Sequence, residues 1–184
     1  MKRLLCFLLI LCLLPALCGC GANYAWRSHV PADRRLISVP TFRNESGLQE
    51  MGAAATRQLL REIQREGSFS VASPDEAQVE VQGVVKSVSA GSVAYNRRTL
   101  RRYTGFTMSC EALVTVVDKA SGRVIFTDRP YTAETTFASG QDLTTAERDA
   151  SGRLADELSR LVVDDLLRID WTGDKDAKGK ENAK

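Results

Sequence analysis

The alternation of apolar and polar positions along this chain switches between the period of a strand and the period of a helix, and the switches mark out its elements. Leu36 to Phe42 predicts a short strand with Ile37 and Val39 on one face; Pro40, which has no N–H for a ladder, confines it to an edge or a strand end. From about Leu48 to Glu66 the apolar positions Leu48, Met51, Ala55, Leu59 and Ile63 advance by three or four and draw one stripe along a helix. Arg57, Arg61, Glu62 and Arg65 fall on its water side. Ser46 and Gln49 are spaced as a capping box for its start, and Gly67 fits its C-cap.

Phe69 to Val71 is a short extended piece, followed by a turn at Ser73-Pro74-Asp75-Glu76. Val79, Val81, Val84, Val85 and Val88 then predict a β-branched strand whose alternation slips at Gly83, the mark of a bulge or of a close backbone approach. Ser89 to Arg102 is polar and forms either a long hairpin connection or two strand ends running beyond the sheet. From Tyr103 to Val117 the even positions Phe106, Met108, Cys110, Ala112, Val114 and Val116 are all apolar, so this is a long central strand with one covered face. Asp118 to Gly122 closes a tight hairpin, and Val124 to Thr136 returns as another strand. Thr144 and Glu147 form a second capping box, for a helix carrying Leu143, Ala146, Ala150, Leu154, Leu158, Leu161 and Leu166 and ending near Trp171. No internal repeat is present.

Strand, helix, strands, helix is an order that buries both helical stripes at once on a single sheet face. The expected fold is therefore α+β: a two-layer sandwich of a mostly antiparallel four-stranded sheet with two helices packed on one face. It occupies residues 35–171, between a polar lead-in at 20–34 and a polar tail at 172–184 that is too poor in apolar residues to fold.

The start of the chain has a different logic. Lys2 and Arg3 precede an unbroken apolar run from Leu4 to Leu14, then Pro15 and Ala16, then Leu17-Cys18-Gly19-Cys20. A charged region, an apolar region and a break make an export signal. Eleven apolar residues give a helix of only ~16 Å against a hydrocarbon core of ~30 Å, so the run cannot span a membrane. Leu17 and Gly19 before Cys20 resemble the lipobox of bacterial lipoproteins, which implies cleavage of residues 1–19 and lipidation of Cys20. Several acyl chains would hold the protein where one would not. Gly21 rather than Asp after that cysteine resembles the pattern of proteins sorted to the Gram-negative outer membrane.

Composition then changes the picture in two places. The formal charge of +2 includes Lys2 and Arg3, so the chain without its signal is near neutral and makes no case for nucleic acid. Of the 5 cysteines, Cys6, Cys12 and Cys18 leave with the signal and Cys20 is taken by lipid. Cys110 stands alone inside an apolar strand, as a buried small hydrophobe that forms no disulfide.

Cys20 with Tyr24 shortly after it, then Ile37-Ser38-Val39-Pro40-Thr41-Phe42-Arg43-Asn44, an amphipathic helix, Glu76-Ala77-Gln78-Val79 running to Gly83, the Asp118 to Phe126 hairpin and a last helix closing at Trp171 resemble the LptE family of lipopolysaccharide-assembly lipoproteins. The resemblance covers nearly all of the mature chain, and its most specific piece is Val-Pro-x-Phe-x-Asn after a lipobox. It implies a plug-like partner in the lumen of the outer-membrane β-barrel LptD that helps the barrel fold and lipopolysaccharide reach the surface. The membrane is held through the lipid on Cys20, with the domain on the periplasmic side or inside the lumen. Lipoproteins that activate peptidoglycan synthases, and curli-type secretion-channel lipoproteins, open with a similar block and are the alternative.

Lipopolysaccharide presents phosphates, and arginine suits them because its planar guanidinium donates two parallel hydrogen bonds. Arg97, Arg98, Arg101 and Arg102, flanked by Tyr95 and Tyr103, are the candidate contacts to lipopolysaccharide or barrel, with Lys119 and Arg123 on the other hairpin as weaker ones. The alternative for the arginines is a solvated loop whose charge keeps an exposed edge from pairing. Asn44 reads as a cap or turn residue. The single His, His29, has no partners at metal-ligand spacing, no Ser-His-Asp or Cys-His set exists, and no glycine-rich phosphate loop precedes a helix. The chain is expected to be neither an enzyme nor a cofactor carrier.

Overall fold

The structure, a computed structural model, describes residues 30–95, 103–138 and 143–171. After a 3-10 turn at Ala32–Arg34 come β1 (Leu36–Ser38), β2 (Arg43–Asn44), α1 (Met51–Glu66) and β3 (Ser70–Val71). The three long strands follow, β4 (Val79–Tyr95), β5 (Tyr103–Asp118) and β6 (Arg123–Ala138), and then α2 (Leu143–Arg168). The sheet runs β3-β1-β4-β5-β6, with β2 also on β4.

This corrects the expected four-stranded, mostly antiparallel sheet: the described residues form a mixed sheet of six strands. The long strands pair antiparallel, while β1 runs parallel to both β3 and β4, and β2 runs parallel to β4. The physical reason is the crossover through α1, which returns the chain alongside β1 in the same direction. The strand expected at Leu36 to Phe42 is split, since Pro40 ends β1 and the ladder resumes only at Arg43. β1 lies inside the sheet, between β3 and β4, rather than at its edge.

The two helices form the second layer as expected, over one core. Met51, Ala55, Leu59 and Ile63 of α1 are buried, and so are Ala150, Leu154, Leu158 and Leu166 of α2. Leu161 is an exception: it is 36% exposed, because the buried side of α2 passes through Ala155, Val162 and Val163 instead. On the sheet side Met108, Cys110, Ala112, Val114 and Val116 are buried on one face of β5, as their alternation predicts. Cys110 is fully buried, and burial, with the charge of Glu111, pushes its thiol up to about 11.

The capping box expected for the first helix does not form. α1 starts at Met51 with Glu50 at its N-cap and no side-chain cap, because the Ser46 hydroxyl is bonded to Asn44 Oδ1 at 2.7 Å. Thr144 falls inside α2, whose first residue is Leu143. The C-cap does form, with Gly67 at φ 81 donating to the Ile63 carbonyl.

The Phe42 and Asn44 block ties α1 to the sheet. Phe42 N–H donates to Thr56 Oγ1 at 2.9 Å, and Asn44 Nδ2 donates to the Leu48 and Gln49 carbonyls. A Cβ on Gly52 would lie 2.6 Å from the Phe42 carbonyl oxygen, and one on Gly83 would lie 2.2 Å from the Phe42 ring. Phe42 is thus clamped between two glycines. The slip in alternation at Gly83 marks this close approach, while the bulge itself lies a few residues on, between Val85 and Ser87.

Candidate functional site

β4 and β5 pair from Val79↔Asp118 at one end to Tyr95↔Tyr103 at the other. Sixteen residues of β5 at ~3.3 Å per residue put those ends on the order of 50 Å apart. The residues singled out from sequence divide between them. Tyr95 closes the far end of the ladder, and Arg97, Arg98, Arg101 and Arg102 lie in residues 96–102, outside the described residues but covalently joined to that end. Lys119 and Arg123 belong to the near end, where Arg123 pairs in register with Asp118. No single headgroup can bridge the two groups. Cys20 also lies outside the described residues.

At the near end Asp118 is 1% exposed, which a turn aspartate seldom is. Its carboxylate accepts from Arg34 Nε at 2.9 Å, from the Ser121 hydroxyl at 2.7 Å, and from the Ala120 and Ser121 N–H groups at 3.1 and 3.2 Å. Burial alone would raise its pKa, but the bonds from Ser121 and Arg34 outweigh burial and hold it below the usual carboxylate range. Gly122, at φ 70, then turns the chain into β6. Lys119 is held by its own fold: Nζ donates to the Pro74 carbonyl at 2.5 Å and lies 3.5 Å from Glu80.

β6 bulges twice in its first half, where Ile125 is the extra residue of one bulge and Asp128, at φ 47, lies in the other. The second bulge turns Arg129 toward α2. Arg129 pairs with Asp165, which also accepts from the Tyr131 hydroxyl at 2.5 Å, and the guanidinium sits 4.1 Å from the Phe126 ring centroid. Burial and the Asp165 bond push the Tyr131 hydroxyl pKa up; Tyr131 and Arg129 together hold Asp165 below its ordinary value despite burial. Arg123, Val124, Phe126, Arg129 and Ile169 line a cleft of ≈ 240 Å³, too small to enclose a multiply acylated saccharide.

Sequence reading did not find Arg34, Arg129, Tyr131 or Asp165. Arg34 lies in a stretch without period, and Asp165 is one of several charges on the polar side of α2. The one available signal is Arg129-Pro130, an interruption in an otherwise regular strand. Among the described residues no group of three or more His, Cys, Asp or Glu is placed to hold a metal ion, and no helix is long and apolar enough to cross a membrane.

A mixed sheet with a helical layer on one face and the other face open defines a class of small α+β domains found in other bacterial proteins. Protein CT253 of Chlamydia trachomatis shares it at a TM-score of 0.56 and 13% identity, over 76% of this chain and 99% of that one. A Helicobacter pylori protein named as a homolog of the neuraminyllactose-binding hemagglutinin shares it at a TM-score of 0.53 and 12% identity, over 83% and 94%. Likeness at these identities speaks for the fold alone. No curated protein matches the chain significantly. The sequence profile of LptE, described as lipopolysaccharide-assembly, matches residues 35–166, and the chain belongs to that family.

Proposed function

We propose that this protein is a lipoprotein anchored in the outer membrane through Cys20, that it partners the β-barrel LptD without catalysing a reaction, and that it assists lipopolysaccharide transport to the surface. The observation that carries the reading is the family match, which spans β1 through most of α2 rather than one motif. The geometry supports a partner rather than an enzyme. The helix-free face of the sheet carries Gln82, Thr115, Ser109, Glu111 and Glu134, side chains suited to hydrogen bonding with a polar wall. Arg97, Arg98, Arg101 and Arg102 with Tyr95 are the contacts to lipopolysaccharide phosphates or to the barrel, carried at the end of the ladder farthest from the lead-in.

The test is a detergent pull-down of the tagged full-length chain from a double-membrane bacterium. A stoichiometric outer-membrane barrel is expected. Reversing the four arginines to glutamate is expected to leave the fold intact and to reduce barrel recovery or lipopolysaccharide retention at least tenfold. Recovery of a peptidoglycan synthase, or of a ring of the chain itself, would overturn the reading.

A further inference from the structure

The near end of the sheet combines two features that the barrel partnership does not use. The first is where the chain enters. Arg34 bonds to Asp118, the Val30 carbonyl accepts from Arg35 Nε at 3.4 Å, and β1 begins opposite the start of β4, so the lead-in joins the domain at this end. Ten residues separate Cys20 from Val30, a covalent reach of at most ~35 Å. The second is what the end displays. Val124 is 51% exposed at the first turn into β6, with Ile125, Phe126 and Ile169 only partly buried beside it. Arg123 flanks this patch on one side, and on the other Arg129, turned to Asp165, lies over the Phe126 ring so that its stem covers apolar surface.

We propose that the start of β6, centred on Val124, seats in the interface of the leaflet that carries the Cys20 lipid, as a second, protein-borne membrane contact. The proposal rests on the reading that Cys20 is lipidated. A short tether keeps this end within reach of that leaflet, while the Tyr95–Tyr103 end of the ladder stands off by the length of the sheet. Of the neighbouring acids Asp118 is paired with Arg34, Asp165 with Arg129 and Glu80 with Lys119, while Asp170, which lines the same cleft, and Asp128, in the second bulge, hold the contact at headgroup depth. The Asp75-Glu76 turn, beside Lys119 through the Pro74 carbonyl, limits the depth, so the seating is shallow.

The experiment uses the full lipidated chain in mixed phosphatidylethanolamine and phosphatidylglycerol vesicles, with an environment-sensitive fluorophore on Val124→Cys or, separately, on Gly91→Cys. Gly91 is exposed, and nothing lies within 4 Å of a Cβ built there. Cys110 is buried and does not compete for label in the folded protein. Mass spectrometry of the Cys20 peptide comes first; an unmodified cysteine overturns the anchoring reading itself. With the lipid confirmed, a blue-shifted emission at 124 that is quenched by headgroup-level spin-labelled lipid, and an unshifted emission at 91, is the expected result. A chain that floats with the vesicles while label 124 remains water-like overturns the membrane contact and leaves the anchor standing. Shielding of label 124 only when the barrel is co-reconstituted also overturns it, and assigns the patch to the barrel.

Discussion

The two ends of the β4–β5 ladder are built from the same pairing and held in opposite ways. At the near end Val79, Val81 and Val85 are fully buried, Phe42 is clamped against Gly83, and a buried carboxylate gathers four donors around the turn. Past the bulge at Lys86, Ser89, Ala90 and Gly91 are exposed, and the hydroxyls of Ser89 and Ser109 meet across the strands at 2.8 Å. The ladder continues to Tyr95. Along β4 one end is specified by burial and the other more by its pairing, with the apolar packing there supplied by Met108, Phe106 and Phe137 of the neighbouring strands. Local stability follows such packing, and binding segments are drawn from the less stable end.

The strongest way to break this contrast is to empty the near-end network. Asp118→Ala leaves Arg34 and two turn N–H groups without their acceptor and is expected to cost about 3 kcal/mol, read from urea unfolding. A pair of identical substitutions sharpens it further. Gly83→Ala forces a methyl into the Phe42 ring and is expected to cost about 2 kcal/mol, whereas Gly91→Ala, in the same strand, meets nothing and is expected to change stability by no more than about 0.5 kcal/mol. Equal losses at both glycines would mean that β4 itself is as tightly packed at Gly91 as at Gly83.

Acid should act at the near end and beneath α2. Asp118 and Asp165 both have carboxyls depressed by their bonds, so the stability they add is complete above the unfolded carboxylate value of about 3.9 and is lost as pH falls through their lower folded values. Urea midpoints measured between neutral pH and about pH 3 should therefore fall at the acid end, and Asp118→Asn should flatten that fall while lowering the midpoint at pH 7. A smaller loss than at Asp118 or Gly83 is expected at Tyr131→Phe, which removes one hydrogen bond to Asp165 and leaves Arg129 in place, for about 1 kcal/mol by the same titration.

Much of this architecture was legible in the residues. The α1 stripe, the alternation of β5, and the turns at Gly67 and Gly122 are local signals, and each predicted its element because the physics that sets it acts within a few residues. The short parallel strands were not legible as a set. Ser70 pairs with Leu36 only because α1 brings it back, and no window of sequence contains that contact. The first capping box failed for a related reason: Ser46 matched the spacing, but Asn44 offered its hydroxyl a nearer partner. Asp118 reads in sequence only as the first residue of a tight hairpin, and the arrival of Arg34, 84 positions away, helps make it a buried hub. The arginines of the far hairpin were the easiest candidates to see because their signal is composition, which needs no fold.

The Arg34–Asp118 bond also makes the domain a mechanical part. A pull on the lead-in arrives at the start of β1, whose parallel neighbours β3 and β4 lie on both sides, so the load falls on their hydrogen bonds in shear rather than unzipping them one by one. Before it reaches them it must draw Arg34 from a carboxylate fixed at the β5–β6 turn. Tension on the lead-in is thus delivered to the corner where the turn carboxylate is buried, at the opposite end of the β4–β5 ladder from Tyr95 and Tyr103.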